Sequence, residues 1–302
     1  MPVKRKIIIF LLFVSALVLI FTTRGVLPNE KPAHAPLTSE VTAAEAVLPS
    51  TALPPVTQSE PLSTAAPPVN AIPGEEIWQK YMGISPSAWG YNLDGIISII
   101  PTDEKIIALT FDACKGDYDA ELIEFLIAEN VPATLFISGR WIGENPGKLE
   151  YLASRENFSI ENHGYEHRPL SVSGRSEYGV EGTASPGEIF NEIELNARRI
   201  EELTGRRPVF FRSGTAFYDD IAVQIARDMG VPLAGYTISG DGGATLSKAQ
   251  ILKACGNPPP GAILLFHMNH PESDTYEGVR ALYEILVEKG YSFVNLSSCI
   301  IG

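Results

Sequence analysis

Ile106-Ile107-Ala108-Leu109-Thr110-Phe111-Asp112-Ala113-Cys114 is the stretch on which the fold turns. A run of mostly apolar, β-favouring residues delivers a carboxylate at its end, the pattern of a buried strand that presents a reactive group where it leaves the sheet. Six more short runs of this kind follow, at Ala133–Ser138, Phe158–Glu161, Pro208–Arg212, Leu233–Ile238, Ala262–His267 and Tyr291–Leu296. Helix patterns punctuated by Gly and Pro lie between them. In the clearest, Ser185–Leu203, Ser185 and Glu188 read as a capping box and Pro186 stands at the first helical position; Ile189, Ile193, Ala197, Ile200 and Leu203 share a face, and Gly205 follows. Thr275–Lys289 is similar, with Val279, Leu282, Ile285 and Leu286 on one side and Gly290 just beyond. Strands separated by helices imply parallel pairing through right-handed crossovers.

The side chains able to do chemistry stand at the ends of those runs. Asp112 follows the first, His163 the third and Asp241 the fifth, while Arg212 ends the fourth and His267 the sixth. Groups gathered from the carboxyl ends of several parallel strands meet at one mouth only if the sheet curls around it. The expected fold is therefore α/β, a distorted or incomplete seven-stranded (β/α) barrel. An open doubly wound sheet is disfavoured, because no Gly-rich phosphate loop follows the first strand.

Two of the five histidines fall in His163-Gly164-Tyr165-Glu166-His167, where Pro169 favours a turn over a helix. Imidazoles joined by a carboxylate suit zinc and related divalent ions, and a catalytic site keeps a position open for water. Asp112 can serve as a carboxylate that takes a proton from such a water. Asp119 fits a different task, N-cap of the helix that begins near Ala120. Arg212 can orient Asp112 or lower its pKa, and His267 can protonate a departing amine.

Outside this part the chain has another character. Lys4-Arg5-Lys6 precedes an uncharged apolar run, Ile7 to Phe21, which reads as an export signal. With Thr22 and Thr23 the run reaches about 26 Å as a helix, a little short of a bilayer core of about 30 Å, so length alone does not separate a cleaved signal from a retained anchor. Arg24 closes the run with no clear cleavage site, which favours the anchor. Either way the bulk of the chain is expected outside the cytoplasm, membrane-anchored or else secreted or periplasmic. Pro28 to Pro73 holds ten prolines and neither glycine nor an aromatic residue, the composition of an extended spacer. The expected organisation is signal or anchor over 1–25, linker over 26–73 and one globular domain over 74–302. The chain carries 36 acidic and 23 basic residues, a net charge of −13. Its first 73 residues hold five basic and four acidic groups, so the acidity belongs to the globular part. That balance excludes nucleic acid as a partner. A monomer is the expected state.

Thr110-Phe111-Asp112, His163-x3-His167, Arg212-x-Gly214 and Leu264-Leu265-Phe266-His267, in this order, resemble the polysaccharide deacetylases of the chitooligosaccharide-deacetylase (NodB-like) family, carbohydrate esterase family 4. The resemblance spans about residues 103–300. It implies metal-dependent removal of N-acetyl groups from a polymer of the N-acetylglucosamine type, such as peptidoglycan, chitin or poly-N-acetylglucosamine. It further implies Asp112 as catalytic base, His163 and His167 as ligands of a divalent metal (zinc first, cobalt or another ion as alternatives), Arg212 as the residue that holds the base, and His267 as the acid. Asp241 is a looser match to the residue that tunes that acid.

The family usually has a second Asp directly after the base as a third metal ligand; here that position is Ala113. Asp117 or Asp119 could fold back to replace it, Asp112 could itself ligate, or Cys114 could supply a thiolate; a carboxylate is the favoured repair. Two rivals follow from the same departure, a catalytically weak or silent carbohydrate-binding relative and a thiol-dependent hydrolase using Cys114. Of the three cysteines, Cys255 and Cys299 are the favoured pair for a single bridge. Trp141, Tyr165, Phe217 and Tyr218 are candidates to stack on sugar rings or simply to pack at the rim.

Overall fold

A computed structural model describes residues 74–300. The apolar run near the N-terminus and the Pro-rich linker lie outside the described residues. Among the described residues no helix is long and apolar enough to cross a membrane.

The main sheet is parallel, in the order Phe158–Asn162, Ala133–Ile137, Ile106–Ala113, Ala262–His267 and Ile238–Ser239. Ser292–Phe293 adds to the start of the central Ile106–Ala113 strand. Side chains of that strand alternate as a pleat requires. Ile107, Leu109, Phe111 and Ala113 pack among residues of the helices Ala120–Ala128, Lys248–Cys255 and Thr275–Glu288. Ala108 instead joins Phe136, Phe210 and Ile263 in a separate inner cluster, and Thr110 and Asp112 continue along its face. The neighbouring strand alternates in the same way, so Leu264 and Phe266 pack with the helices while Ile263 lies in the inner cluster. Asp112 and His267 are paired across the ladder. Two chemical groups from sequence-distant segments thus become neighbours through strand register alone.

The barrel is distorted and its ladder is not continuous. Pro208–Arg212, expected as a strand, makes only single parallel bridges from Phe211 to Asn162 and Leu233. Pro208 has no N–H to offer, and the N–H groups of Val209 and Phe210 donate instead to the buried Glu161 carboxylate, at 2.8 and 2.7 Å. The expected Leu233–Ile238 strand is split into Leu233–Ala234 and Ile238–Ser239. At the break, a Cβ on Gly235 would stand 2.6 Å from Ser98 Oγ, and the Gly235 N–H donates to Ile97 O at 2.8 Å. This close approach lets Ile96–Ile97 pair in parallel with Leu233–Ala234. The expected Tyr291–Leu296 strand is reduced to Ser292–Phe293, after which the chain turns into the short helix Leu296–Ile300.

All three cysteines are free thiols, which corrects the expected Cys255–Cys299 bridge. Cys255 ends the helix Lys248–Cys255 inside the helix-side core, whereas Cys299 packs against the inner cluster.

The long helix Pro186–Thr204 begins where Ser185 accepts a hydrogen bond from the Glu188 N–H at 3.2 Å and ends at Gly205 in the left-handed conformation. Ser185→Ala is expected to lower unfolding free energy by about 1 kcal/mol. Urea denaturation would check this, with midpoint falling and slope unchanged.

Candidate active site

Asp112 is held from behind by a buried guanidinium. Arg212 Nη1 donates to Asp112 Oδ1 at 2.8 Å and to Thr110 Oγ1 at 2.9 Å. Its Nη2 donates to Gly235 O at 2.7 Å and its Nε to Ala234 O at 3.3 Å. The same guanidinium lies over the Phe136 ring, 4.2 Å from its centroid. Burial opposes ionisation of Asp112, but Arg212, with His163 and His267, holds its carboxyl below the usual carboxylate range.

His267 has the complementary arrangement. Its Nδ1 lies 2.9 Å from Asp241 Oδ1, and its backbone N–H donates to Asp241 Oδ2 at 2.6 Å. Asp241 is wholly buried and also accepts from Thr275 Oγ1 at 3.1 Å and the Gly243 N–H at 3.2 Å. Burial works against a charged imidazole, yet the Asp241 carboxylate outweighs it and holds His267 well above the ordinary histidine range. With Nδ1–H directed at Asp241, Nε2 is the nitrogen left to exchange a proton.

Between these dyads stand the two motif histidines, on a turn and not on a helix. The helix Pro186–Thr204 shapes that turn, because Glu192 reaches over and accepts from the backbone N–H groups of Glu166 and Arg168, at 3.0 Å each. His167 takes a positive φ of 58°. His163 Nδ1 lies 3.0 Å from the Arg212 carbonyl, which can only accept, so Nδ1 carries a proton and Nε2 is the nitrogen turned to the site. Nε2 is 3.7 Å from Cys114 Sγ and 3.6 Å from Asp112 Oδ2. His167 Nε2 is buried with no hydrogen-bond partner. One donor atom each from Cys114, His163 and His167 lie within 4.8 Å of one another. An unpaired buried imidazole nitrogen beside a second imidazole and a thiol is a donor set suited to a divalent ion.

The two carboxylates expected to complete the metal set are placed elsewhere. Asp119 is the N-cap of Ala120–Ala128, accepting from Leu122 N–H at 3.0 Å. Asp117 is exposed on the loop, where its backbone carbonyl accepts from Trp141 Nε1 at 3.0 Å. Alternation explains Cys114: residues 112 and 114 share a side, while Ala113 turns into the helix-side core. Burial opposes the Cys114 thiolate, but the imidazoles of His167, His163 and His267 hold the thiol well below its ordinary range.

A cavity of about 500 Å³ opens over these groups, lined by Asp112, Cys114, His167 and His267 and by Tyr178 and Tyr236. Trp141 and Tyr218, candidates for sugar stacking, are wholly buried. Tyr165 and Phe217 are partly exposed, and further rings from the loops join them. Tyr178 is 75% exposed at the tip of a two-residue hairpin closed by Glu177 and Val180. Its ring meets Phe217 edge-on at 5.6 Å, and Tyr236 stacks with Tyr91 at 5.4 Å. No periodicity marked these tyrosines, because they come from loops. Asn269 also escaped notice; its side chain donates to Lys115 O at 2.7 Å and fixes the loop after Cys114.

A curled parallel α/β sheet whose register partners Asp112 and His267 face one cavity is the arrangement of the carbohydrate esterase family 4 type of fold. The polysaccharide deacetylase family model matches residues 100–234. The chain carries a polysaccharide deacetylase domain of that family. A bifunctional xylanase/deacetylase of Pseudobutyrivibrio xylanivorans is 24% identical over 65% of this chain and 30% of its own length. The peptidoglycan-N-acetylglucosamine deacetylase PgdA of Listeria monocytogenes is 24% identical over 64% of this chain and 38% of its own. The chain therefore spans only about a third of either relative. Among solved structures, a family 4 pseudoenzyme of Bacillus anthracis superposes with a TM-score of 0.58 at 26% identity, covering 72% of this chain and 69% of its own.

Gly214 supports the His167 turn by having no side chain: a Cβ there would lie 2.2 Å from His167 O and 2.8 Å from its ring. Gly214→Ala is expected to displace His167 and weaken divalent-ion binding by about 10- to 100-fold, the loss typical of disturbed ligand supports. Equilibrium dialysis against zinc, beside circular dichroism to confirm the fold, would check it.

Proposed function

We propose that the protein is a metal-assisted hydrolase that removes N-acetyl groups from an N-acetylglucosamine-containing polysaccharide of the cell envelope. The observation that carries this reading is the pair of oppositely tuned dyads, Arg212–Asp112 and Asp241–His267, whose members Asp112 and His267 are register partners facing one cavity. Asp112, kept ionised, suits the task of taking a proton from the attacking water. His267, kept protonated, suits donation to the amide nitrogen as its bond to the acetyl carbon breaks; water oxygen bonds to that carbon and acetate leaves. His163 and His167 would hold a divalent ion, zinc by preference, which when bound supplies Lewis-acid polarisation. The Listeria relative's name, a peptidoglycan-N-acetylglucosamine deacetylase, supports an N-acetylated glycan as substrate. An export segment and a Pro-rich spacer would hold such a domain outside the cytoplasm within reach of that polymer.

Asp112→Asn and His267→Gln are each expected to reduce acetate release by about 100- to 10,000-fold, compared at a temperature where circular dichroism shows each variant folded. The assay is acetate release from peptidoglycan, chitin oligomers and poly-N-acetylglucosamine with added zinc or cobalt, and full turnover by either variant would refute the assigned roles. A binding-only reading gains support from Ala113 and from the family 4 pseudoenzyme among the structural neighbours, a mutant of which is described as having restored enzymatic activity. Glycan binding without acetate release under every metal condition would favour it.

Tyr178 offers an exposed ring at the mouth of the cavity. Its φ of 50° makes Asn the replacement that keeps the turn while removing the ring. Tyr178→Asn is expected to raise KM several-fold and leave kcat nearly unchanged, the signature of lost stacking worth about 1 kcal/mol.

A further inference from the structure

We infer that Cys114 is a metal ligand, so that the centre is a thiolate site, Cys114–His163–His167, selective for borderline-soft ions such as zinc and cobalt. The inference deepens the reading above and rests on its premise that the imidazole pair holds a divalent ion.

Three independent features converge. Strand alternation brings Cys114 to the side of Asp112 and sends Ala113, the position of the family's usual second carboxylate, into the core. The Cys114 Sγ to His163 Nε2 separation of 3.7 Å fits two ligands of one tetrahedral ion, which at bond lengths of about 2.0 to 2.3 Å lie about 3.3 to 3.8 Å apart. His167 Nε2 is buried without a partner, an arrangement costly unless something absent from the polypeptide satisfies it.

The backbone around Cys114 is prepared for such a role. Ser138 Oγ donates to Cys114 O at 2.5 Å and, as the N-cap of Gly139–Glu144, accepts from the Trp141 N–H at 3.0 Å. Asn269 Oδ1 faces the Cys114 N–H at 3.5 Å while its Nδ2 ties Lys115 O. His163 is fixed in one tautomer by the Arg212 carbonyl. These contacts resemble the outer hydrogen bonds that hold metal ligands in place. A thiolate in place of a carboxylate shifts preference toward zinc and cobalt and away from magnesium and calcium, whose chemistry demands oxygen donors.

Cobalt(II) added to the purified full chain is the test, because a thiolate bound to cobalt produces a ligand-to-metal charge-transfer absorption that oxygen and imidazole ligands do not. The expected result is one equivalent of cobalt with that near-ultraviolet band in the parent chain. Cys114→Asp is expected to bind cobalt without the band, and Cys114→Ser to lose the band and at least about 100-fold in zinc affinity. Zinc should also protect the Cys114 peptide from iodoacetamide, read by mass spectrometry, independently of whether any variant folds poorly. Stoichiometric cobalt binding with no band, or alkylation of Cys114 unaffected by zinc, overturns the inference. Either result leaves the deacetylase reading to stand or fall on acetate release. A band without acetate release sustains the thiolate site and removes that reading instead.

Discussion

A fully buried guanidinium is the constraint on which the site depends. Arg212 has lost all contact with water, and four acceptors replace it: the Asp112 carboxylate, the Thr110 hydroxyl and the carbonyls of Ala234 and Gly235. These acceptors lie on the central strand and at the break in the wall beyond it, so one side chain ties the carboxylate to the irregular part of the barrel. A buried ion pair is a poor source of net stability, since desolvation of both charges offsets most of their attraction. Removing one partner is far worse, because the other charge is then stranded. The pair is better understood as a positioning device that keeps Asp112 ionised and aimed.

The irregularities of the barrel follow from seating that arginine. A regular strand over Pro208–Arg212 would place every backbone N–H in a ladder, but Pro208 has none, and the N–H groups of Val209 and Phe210 are met by Glu161. The chain then needs only the single bridges at Phe211 to stay in the wall. Opposite it, the strand break at Gly235 frees two carbonyls, of Ala234 and Gly235, to receive the guanidinium. A continuous ladder would have paired those carbonyls within the sheet. The distortion and the electrostatics of the base are one arrangement.

How much of this was legible in the sequence divides along physical lines. Helix ends carry local chemistry, so Ser185, Pro186 and Gly205 announced the long helix, and its observed bounds are Pro186–Thr204. The strands Ile106–Ala113, Ala133–Ile137 and Ala262–His267 were likewise readable from continuous apolar runs, because both of their faces are covered. The weaker strands were overread where Pro208 and Gly235 interrupt them, and hydrophobicity alone does not report backbone pairing. Trp141 and Tyr218 were placed at the rim because aromatic residues near motifs invite that reading, whereas Tyr178, Tyr91 and Tyr236 gather only through tertiary contact between loops.

The third donor beside the histidines is the most instructive case. Chemical precedent within the family favours a carboxylate, and Asp117 and Asp119 lie only a few residues past Asp112. Distance along the chain is the wrong measure. Asp119 is committed to a helix start that needs an oxygen acceptor for the Leu122 N–H, and moving it inward would cost that helix its cap. Cys114 is two residues beyond Asp112, and the pleat alone puts it beside the carboxylate and the imidazoles. The same two-residue period that makes Ala113 a core side chain therefore decides which donor the site receives. Ala113 lies in the helix-side core while Cys114 stands beside His163, so a carboxylate at 114 would arrive next to the imidazoles without any change of backbone.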